Sequence, residues 1–206
     1  MSNDRLHSLY RSYRRRSWLV VTGMILFAAA VAWAVPLPSG SLAWLVVVLT
    51  AYFAFLIPLV SVDGTMELAT EKPPEQVRTE FLGAESPFLW QNRQQTTAVR
   101  SDGSCTTLET ESPIFNRGAE VTYDATETDR GIHVEIRHNE SQYSQSEIEI
   151  SQQDGQTYVT VTLTVLKPLN LHRVLHIQLS NSVGHEAYEA QGYEVLDDSF
   201  KFHLRS

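Results

Sequence analysis

The sequence has one cysteine and few lysines, and both shortages narrow the classes of protein that it can encode. Cys105 stands alone among 206 residues, so an intramolecular disulfide and a cysteine-based metal cluster are both excluded. The lysines are Lys72, Lys167 and Lys201, and acidic residues outnumber basic ones by 24 to 16. Because high ionic strength screens the self-repulsion of an acidic surface, this composition favours a halophilic microbial source.

Motifs of catalysis and of nucleic-acid binding are also missing. The chain has no nucleophile elbow, no phosphate-binding loop and no dinucleotide fingerprint. Its acidic balance offers no basic stripe that could neutralise a run of phosphates. The sequence therefore predicts no enzyme activity, no cofactor and no nucleic-acid partner.

Two histidines are weak candidates for a metal site. His172 and His176 are four residues apart on a predicted helix, a spacing that can place two imidazoles on one metal ion, with His185 or Glu186 as a further ligand. The glutamate that follows the first histidine in metalloproteases is absent here. The spacing therefore favours an ordinary solvated helix face, and no metal is expected.

Clustered carboxylates are equally weak candidates for a catalytic pair. Asp124, Glu127 and Asp129 bracket one predicted turn, and Asp197 and Asp198 lie in another. Turn chemistry and solubility in salt account for both groups.

Charge is absent from Ser17 to Val62, where two apolar blocks span residues 18–35 and 42–60. At about 1.5 Å per residue, each block reaches roughly 27–29 Å as a helix, close to the ~30 Å hydrocarbon core of a bilayer. The segment Pro36–Ser41 between them is rich in proline, glycine and serine. These features predict a transmembrane hairpin over residues 17–61.

Arginines before the first block predict the orientation of this hairpin. Arg14, Arg15 and Arg16 head a basic tail over residues 1–16, and the positive-inside rule places such a tail in the cytoplasm. Two crossings would return residues 62–206 to the same side, as a multi-pass protein of the cell membrane. The alternative is an export signal, since Arg15–Leu19 resembles a twin-arginine motif and Ala32–Ala34 a cleavage site.

Residues 62–206 predict one acidic α+β domain. Val62–Thr70 reads as a first strand, and the prolines at 73 and 74 start a short helix that ends near Gly83. After a loop, apolar and polar residues alternate, which indicates antiparallel strands with one apolar face. The predicted strands of this meander are Thr96–Arg100, Ser104–Glu111, Glu120–Thr126, Ile132–His138, Glu147–Ile150 and Thr157–Leu166.

A long helix is expected to cover the apolar face of the sheet. From Leu169 to about Ala190, a stripe of mainly apolar side chains recurs at steps of three and four, which is typical of a helix with one buried face. Its members are Leu171, Val174, Leu175, Gln178, Leu179, Val183 and Ala187. Gly192 ends this helix, and Tyr193–Arg205 continues as extended chain. The fold class is therefore α+β: a two-helix transmembrane hairpin, then an antiparallel sheet covered by a long C-terminal helix.

This order of elements resembles the helix-grip fold of the START-like, or SRPBCC, superfamily. The resemblance is carried by the first strand running into Glu71–Val77, by the meander, and by the closing helix with Ala190–Val195. The strand after the long helix departs from the usual ending. The chain looks most like uncharacterised membrane-anchored members from haloarchaea. The resemblance implies a cavity between sheet and long helix that holds an apolar small molecule or lipid.

Six apolar side chains are candidates for lining such a cavity: Phe81, Phe88, Trp90, Phe115, Leu175 and Leu179. Because protein cores are normally close-packed, the same side chains could fill the space completely. An open cavity predicts a membrane-tethered domain that binds an apolar small molecule or lipid from the bilayer, without catalysis. A filled one predicts a structural or interaction module that binds another membrane protein.

Overall fold

A computed structural model describes residues 3–34, 42–54, 56–90, 96–102, 105–111 and 118–204. The helices are α1 (Asn3–Ala34), α2 (Leu42–Ala54), α3 (Pro74–Leu82) and α4 (Leu171–Ala190), with a 3-10 helix at Pro87–Leu89. The strands are β1 (Pro58–Thr70), β2 (Thr96–Asp102), β3 (Cys105–Glu111), β4 (Gly118–Thr128), β5 (Gly131–His138), β6 (Ser141–Gln153), β7 (Gln156–Asn170) and β8 (Glu194–Leu204).

These strands form one 8-stranded antiparallel sheet in the order β2-β3-β4-β5-β6-β7-β1-β8. Strands β2 to β7 follow one another in space as they do along the chain, which confirms the predicted meander. Strand β1 lies between β7 and β8, so the first strand of the sheet is held by its last two. The α+β class with a large antiparallel sheet is thus confirmed.

Local sequence explains two tight features of the sheet. Asp154 and Gly155 both have positive φ, 52° and 83°, as a two-residue hairpin between β6 and β7 requires, and the Asp-Gly pair predicts this turn. At Gly64 on β1, an added Cβ would lie 2.5 Å from the Ser199 carbonyl oxygen and 2.8 Å from the Phe200 ring. A side chain at position 64 would therefore push β8 away from β1.

Helix α3 and the 3-10 helix cover the β4–β6 part of the apolar face. Val77, Phe81 and Leu89 are fully buried there in one cluster with strand residues. The buried Tyr123 hydroxyl donates a hydrogen bond to the Phe81 carbonyl and accepts one from Ser86 Oγ at 2.9 Å. Because the hydroxyl of Tyr123 is hydrogen-bonded, its ring can be fully buried with these side chains, and this cluster is called the closed core below.

The second apolar block does not form the helix predicted over residues 42–60. Helix α2 ends at Ala54, and β1 already begins at Pro58. Proline lacks the N–H that a helix interior needs, and Val60 pairs instead with Leu169 on β7 and Leu204 on β8. The end of this block is therefore part of the sheet, because it pairs with two strands.

The predicted membrane crossing is also corrected. Among the residues that the structure describes, none of the helices combines the length and the apolar character that a crossing requires. The 13 residues of α2 reach only about 20 Å, and the arginine-rich tail and the first apolar block form one continuous helix, α1. The prediction of a multi-pass membrane protein with a cytoplasmic N-terminus and domain is therefore wrong. The predicted turn at Pro36–Ser41 lies outside the described residues.

Helix α4 matches the predicted long helix in extent but not in every detail of its stripe. Val174, Val183 and Ala187 are buried as predicted, whereas Leu171 is 42% exposed. Asn170 caps the helix, since its side chain accepts a hydrogen bond of 2.9 Å from the Arg173 amide. The predicted turn at Asp197 and Asp198 is wrong, because both residues belong to β8, next to a register shift in its pairing with β1.

Helix α1 packs against both α2 and α4. Leu9 near its start is buried in a cluster with Trp90 and with Val183, Ala187 and Ala190. Further along, Val20, Met24 and Ala28 form a buried stripe with a spacing of four residues. Arg14 and Arg15 are exposed between these two buried regions.

Glu80 on α3 connects this helix to Lys72 before it and to Tyr193 in the segment after α4. Its carboxylate accepts hydrogen bonds from Lys72 Nζ and the Tyr193 hydroxyl, both at 2.6 Å, and from Gln76 at 3.0 Å. Burial raises the pKa of the Glu80 carboxyl, but these hydrogen bonds outweigh burial and hold the pKa below its ordinary value. The charged form of Glu80 therefore stabilises the fold, and its contribution is lost as the pH falls through this lowered pKa.

We expect Glu80→Ala to lower the free energy of unfolding by about 1–3 kcal/mol at neutral pH, since it leaves the buried Tyr193 hydroxyl without its acceptor. Urea unfolding at neutral pH and in acid measures this. The difference in unfolding free energy between Glu80→Ala and the natural sequence should shrink in acid, where Glu80 becomes protonated. Glu149→Ala removes an exposed carboxylate as a control and should change little. Equal losses for both variants, or a gap that grows in acid, would contradict this role.

Candidate ligand cavity

A cavity of about 320 Å³ lies between the sheet and α4, next to the closed core. Its size is at the lower end of the range for small-molecule sites. Most of its lining is apolar or aromatic. The lining side chains come from α1 (Tyr13), from β1 and the segment after α3 (Val62, Met66, Phe88, Trp90), from β5 to β8 (Ile136, Tyr143, Ser144, Ser146, Val161, Leu163, Val165, Phe200) and from α4 (Ile177, His185, Tyr188), together with Gly184.

The floor of the cavity is built from rows of paired residues that cross the strands. One row runs Ile136, Ser144, Val165, Val62, from β5 through β6 and β7 to β1. The next runs Ser146, Leu163, Gly64, Phe200 and reaches β8. Because side chains alternate between the two faces of a strand, each row presents its members to the same side.

The roof comes from one face of α4. Gly184 lines the cavity, and a Cβ built on it would meet nothing within 4 Å, so the helix leaves open space at this position. Tyr188, one turn further on, is half-buried, and burial first, then the nearby Tyr123, raises the pKa of its phenol. Its hydroxyl therefore stays protonated and can donate a hydrogen bond.

His185 is a polar residue at the edge of the roof. Its Nε2 lies 2.6 Å from Asp198 Oδ2 on β8, which fixes the orientation of the ring. Asp198 itself is not among the lining residues.

Helix α1 closes one side of the cavity. Tyr13 meets the Trp90 ring edge to face at 6.2 Å, and both rings line the cavity. Burial raises the pKa of the Tyr13 phenol to about 12, with smaller contributions from Tyr10 and Tyr143. Since the Leu9 cluster holds this part of α1 on α4, the N-terminal helix is part of the cavity wall.

Ser144 and Ser146 are the polar exceptions in the floor. Each is only 3% exposed, and neither hydroxyl has a hydrogen-bonding partner among the residues that the structure describes. Their neighbours across the strands, Val165 and Leu163, are apolar. Two buried hydroxyls are thus presented to the cavity with their hydrogen-bonding capacity unused.

Only some of the residues predicted to line the cavity do so in the structure. Phe88 and Trp90 line the cavity. Phe81 lies in the closed core, 5.4 Å from the Phe88 ring, and is not among the lining residues. Leu175 on α4 is half-buried and is not among them either. Phe115 and the side chain of Leu179 fall outside the described part of the chain.

Several lining residues carried no prediction from the sequence. The alternation that predicts this strand begins only at Glu147, so the sequence does not place Ser144 and Ser146 in the strand. The two serines and Ile148 occupy alternate positions, and this spacing was the available signal. Tyr13 lies in the arginine-rich tail, where nothing in the sequence indicates contact with the domain.

The other candidate residues either form ordinary structural contacts or have side chains outside the described residues. Glu127 pairs with Arg78 from α3, and Asp124 lies 3.9 Å from Arg137. Cys105 is half-buried on β3, within the strand predicted from Ser104 to Glu111. The side chains of His172 and His176 lie outside the described residues, so the structure does not test their spacing.

Comparisons with known proteins give weak similarities of fold. No family model matches the chain, and no curated protein is significantly similar to it. The crystal structure of Ara h 8.0201 is similar at 11% identity and a TM-score of 0.43, over 63% of this chain and 97% of that chain. A START superfamily protein from Mycobacterium smegmatis is similar at 12% identity and a TM-score of 0.40, over 64% and 97% of the two chains.

A conserved protein from Geobacillus kaustophilus is similar at 10% identity and a TM-score of 0.40, over 64% of this chain and 99% of that chain. The similar structures thus include a protein described as a member of the START superfamily. With TM-scores below 0.5, no function is transferred from them to this chain. Neither a membrane-anchored haloarchaeal type nor a halophilic source is supported by these similarities.

The packing of α1 on α4 can be tested through Trp90, which is 5% exposed. In a background where Trp18, Trp33 and Trp44 are phenylalanine, Trp90 is the sole tryptophan. Leu9→Ala should lower stability by about 2–4 kcal/mol, shift the Trp90 emission to the red and increase its quenching by acrylamide, because it removes a buried contact.

Leu26→Ala is the matched control, since Leu26 lies on the same helix but is 65% exposed. It should leave the emission and the quenching of Trp90 unchanged. If Leu9→Ala also leaves both unchanged, α1 does not form this wall of the cavity.

Proposed function

We propose that this protein binds an apolar small molecule or lipid in the cavity between the sheet and α4, and that it does so without catalysis. The observation that supports this most strongly is the cavity itself, about 320 Å³ in volume and lined mainly by aliphatic and aromatic side chains. A filled core, the alternative from the sequence, would leave no such space. Burial of each methylene group of a ligand there would contribute about 0.8 kcal/mol.

The polar groups of the cavity favour binding over chemistry. Nucleophilic catalysis by serine needs a base within hydrogen-bonding distance of the hydroxyl. His185 is held by Asp198, but within the described residues it forms no hydrogen bond with Ser144 or Ser146. The arrangement therefore lacks an activated nucleophile, and the hydroxyls are better placed to hold a ligand than to attack one.

Filling the cavity at Gly184 tests the proposed binding site. Gly184→Phe would place a ring in open space on the cavity side of α4, so it should reduce binding of the neutral fluorophore N-phenyl-1-naphthylamine by at least about tenfold. Gly184→Ala should keep binding and stabilise the helix by about 0.5–1 kcal/mol. Fluorescence titration and thermal unfolding of the full chain measure both effects.

Gly23→Phe supplies the second control. Gly23 is a helical glycine on α1 with nothing within 4 Å of an added Cβ, and it does not line the cavity. Its variant should bind the fluorophore normally. Equal binding by all the variants would place the probe elsewhere. Mass spectrometry that finds no small molecule with the purified protein, together with no probe binding, would overturn the proposal.

Exposed apolar side chains on α1 and α2 support a finer proposal, that the ligand comes from a lipid surface which these helices contact without crossing it. Leu19, Leu26 and Trp33 are 65%, 65% and 85% exposed on one helix, and exposed apolar patches of this kind mark surfaces that contact a membrane or another protein. Trp18 at the start of this region and the exposed Arg14 and Arg15 before it suit the headgroup level of an anionic bilayer.

Vesicle flotation tests this contact. The triple variant Leu19→Ser, Leu26→Ser and Phe27→Ser should float poorly with anionic phosphatidylglycerol vesicles, because it removes apolar area that would enter the bilayer. As a control, Val99→Ser, Leu166→Ser and Leu196→Ser remove exposed apolar side chains from strands and should float normally. Arg14→Gln and Arg15→Gln should each weaken binding about fivefold.

The interaction module is the competing outcome of the same experiment. If the natural sequence does not float and instead co-purifies with a stoichiometric protein that the triple variant loses, the apolar surface binds a protein and not lipid.

A further inference from the structure

We infer that the ligand is a neutral molecule with an apolar body and an oxygen-bearing head, and that Ser144 and Ser146 on β6 bind this head. The inference rests on the proposed function and narrows the class of ligand. Both serines line the cavity, both are 3% exposed, and both hydroxyls lack a partner among the described residues.

The unused hydroxyls are the first step of the argument. A buried polar group without a hydrogen bond destabilises a protein, and nearly all such groups in folded proteins have a partner. Alanine or valine at these two positions would continue the apolar rows made with Val165 and Leu163. Apolar residues at these two positions would therefore stabilise the fold better than the serines do. A ligand oxygen would supply the hydrogen-bonding partner that both hydroxyls lack.

The position of the two serines is the second step. They are two residues apart on one strand, so their side chains lie on the same face at a separation of roughly 7 Å. Apolar residues surround them in the floor, with Ile136 on one side and Leu163 and Val165 on the other. Tyr188 in the roof adds a third hydroxyl without a partner in the described part of the chain. A ligand would therefore meet hydrogen-bonding groups at one place within an apolar space.

The absence of charge from the lining is the third step. Among the described residues that line the cavity, none is lysine, arginine, aspartate or glutamate. Asp198 contacts His185 from outside the lining, and the exposed Arg173 lies over the Tyr143 ring at 5.6 Å. The imidazole of His185 already faces Asp198, so a carboxylate or an ammonium group at the serines would be desolvated without a counter-ion of its own, which is strongly unfavourable. An alcohol or a carbonyl compound suits the site.

Competition against N-phenyl-1-naphthylamine tests this specificity on the full chain, with 1-decanol, decane and decanoate as competitors of equal chain length. The natural sequence should bind 1-decanol more tightly than decanoate. Ser144→Ala with Ser146→Ala should weaken 1-decanol about fivefold, the loss of about one net hydrogen bond, and leave decane unchanged. The control, Ser141→Ala with Ser151→Ala, changes two exposed serines of the same strand and should alter nothing.

Thermal unfolding of the ligand-free protein gives a second readout. Because the serine hydroxyls have no partners in the fold, the Ser144→Ala and Ser146→Ala variant should unfold at the same or a higher temperature. A clear loss of stability would mean that the hydroxyls have a structural role, and would overturn the inference.

The outcomes also separate the inference from the function on which it rests. If the fluorophore fails to bind the natural sequence, the proposed function and the inference both fall. If the fluorophore binds, but 1-decanol is unaffected by the two alanines or decanoate binds as tightly, only the inference on the oxygen-bearing head is overturned.

Discussion

Pairing of β1 with both β7 and β8 is the interaction on which the rest of the structure depends. It joins the first strand of the sheet to its last two, although 85 residues separate the end of β1 from the start of β7 along the chain. Val62 and Met66 on β1 then share the cavity floor with residues of β6 and β7 and with Phe200 on β8. Gly64 makes the close approach of β8 feasible. Without this pairing, α4 would have no continuous floor beneath it.

The alternation of apolar and polar residues predicted most of the sheet. Ile132–His138 and Thr157–Leu166 are strands as expected, because one buried face imposes a period of two on the sequence. The same logic failed for residues 42–60, where an uninterrupted apolar run suits both a helix and a strand that is buried on both sides. The end of that run belongs to β1 because it pairs with β7 and β8, and pairing between distant segments cannot be read from a local pattern.

Prediction of the site was less complete, for a physical reason. Large apolar residues can fill a core or line a cavity, and sequence does not separate these roles: Phe81 lies in the closed core, whereas Phe88, against its ring, reaches the cavity. The features that leave the space open are small residues, Gly184 and the two serines, which no apolar pattern reveals. Tyr13 depends on the docking of α1, a contact between distant parts of the chain.

The open cavity lowers the stability of this fold. Space without packing partners loses dispersion contacts, and in protein cores the loss grows by roughly 24 cal/mol per Å³ of cavity. The closed core beneath α3 stabilises the other half of the sheet. Phe81, Tyr123 and Tyr193 are fully buried there, Tyr123 donates a hydrogen bond to the Phe81 carbonyl, and the Phe81 and Tyr193 rings meet edge to face. A ligand that binds only the folded state adds stability that grows with its concentration relative to its dissociation constant. With one closed and one open half, the sheet would stay folded when the cavity is empty and would gain stability when the proposed ligand is bound.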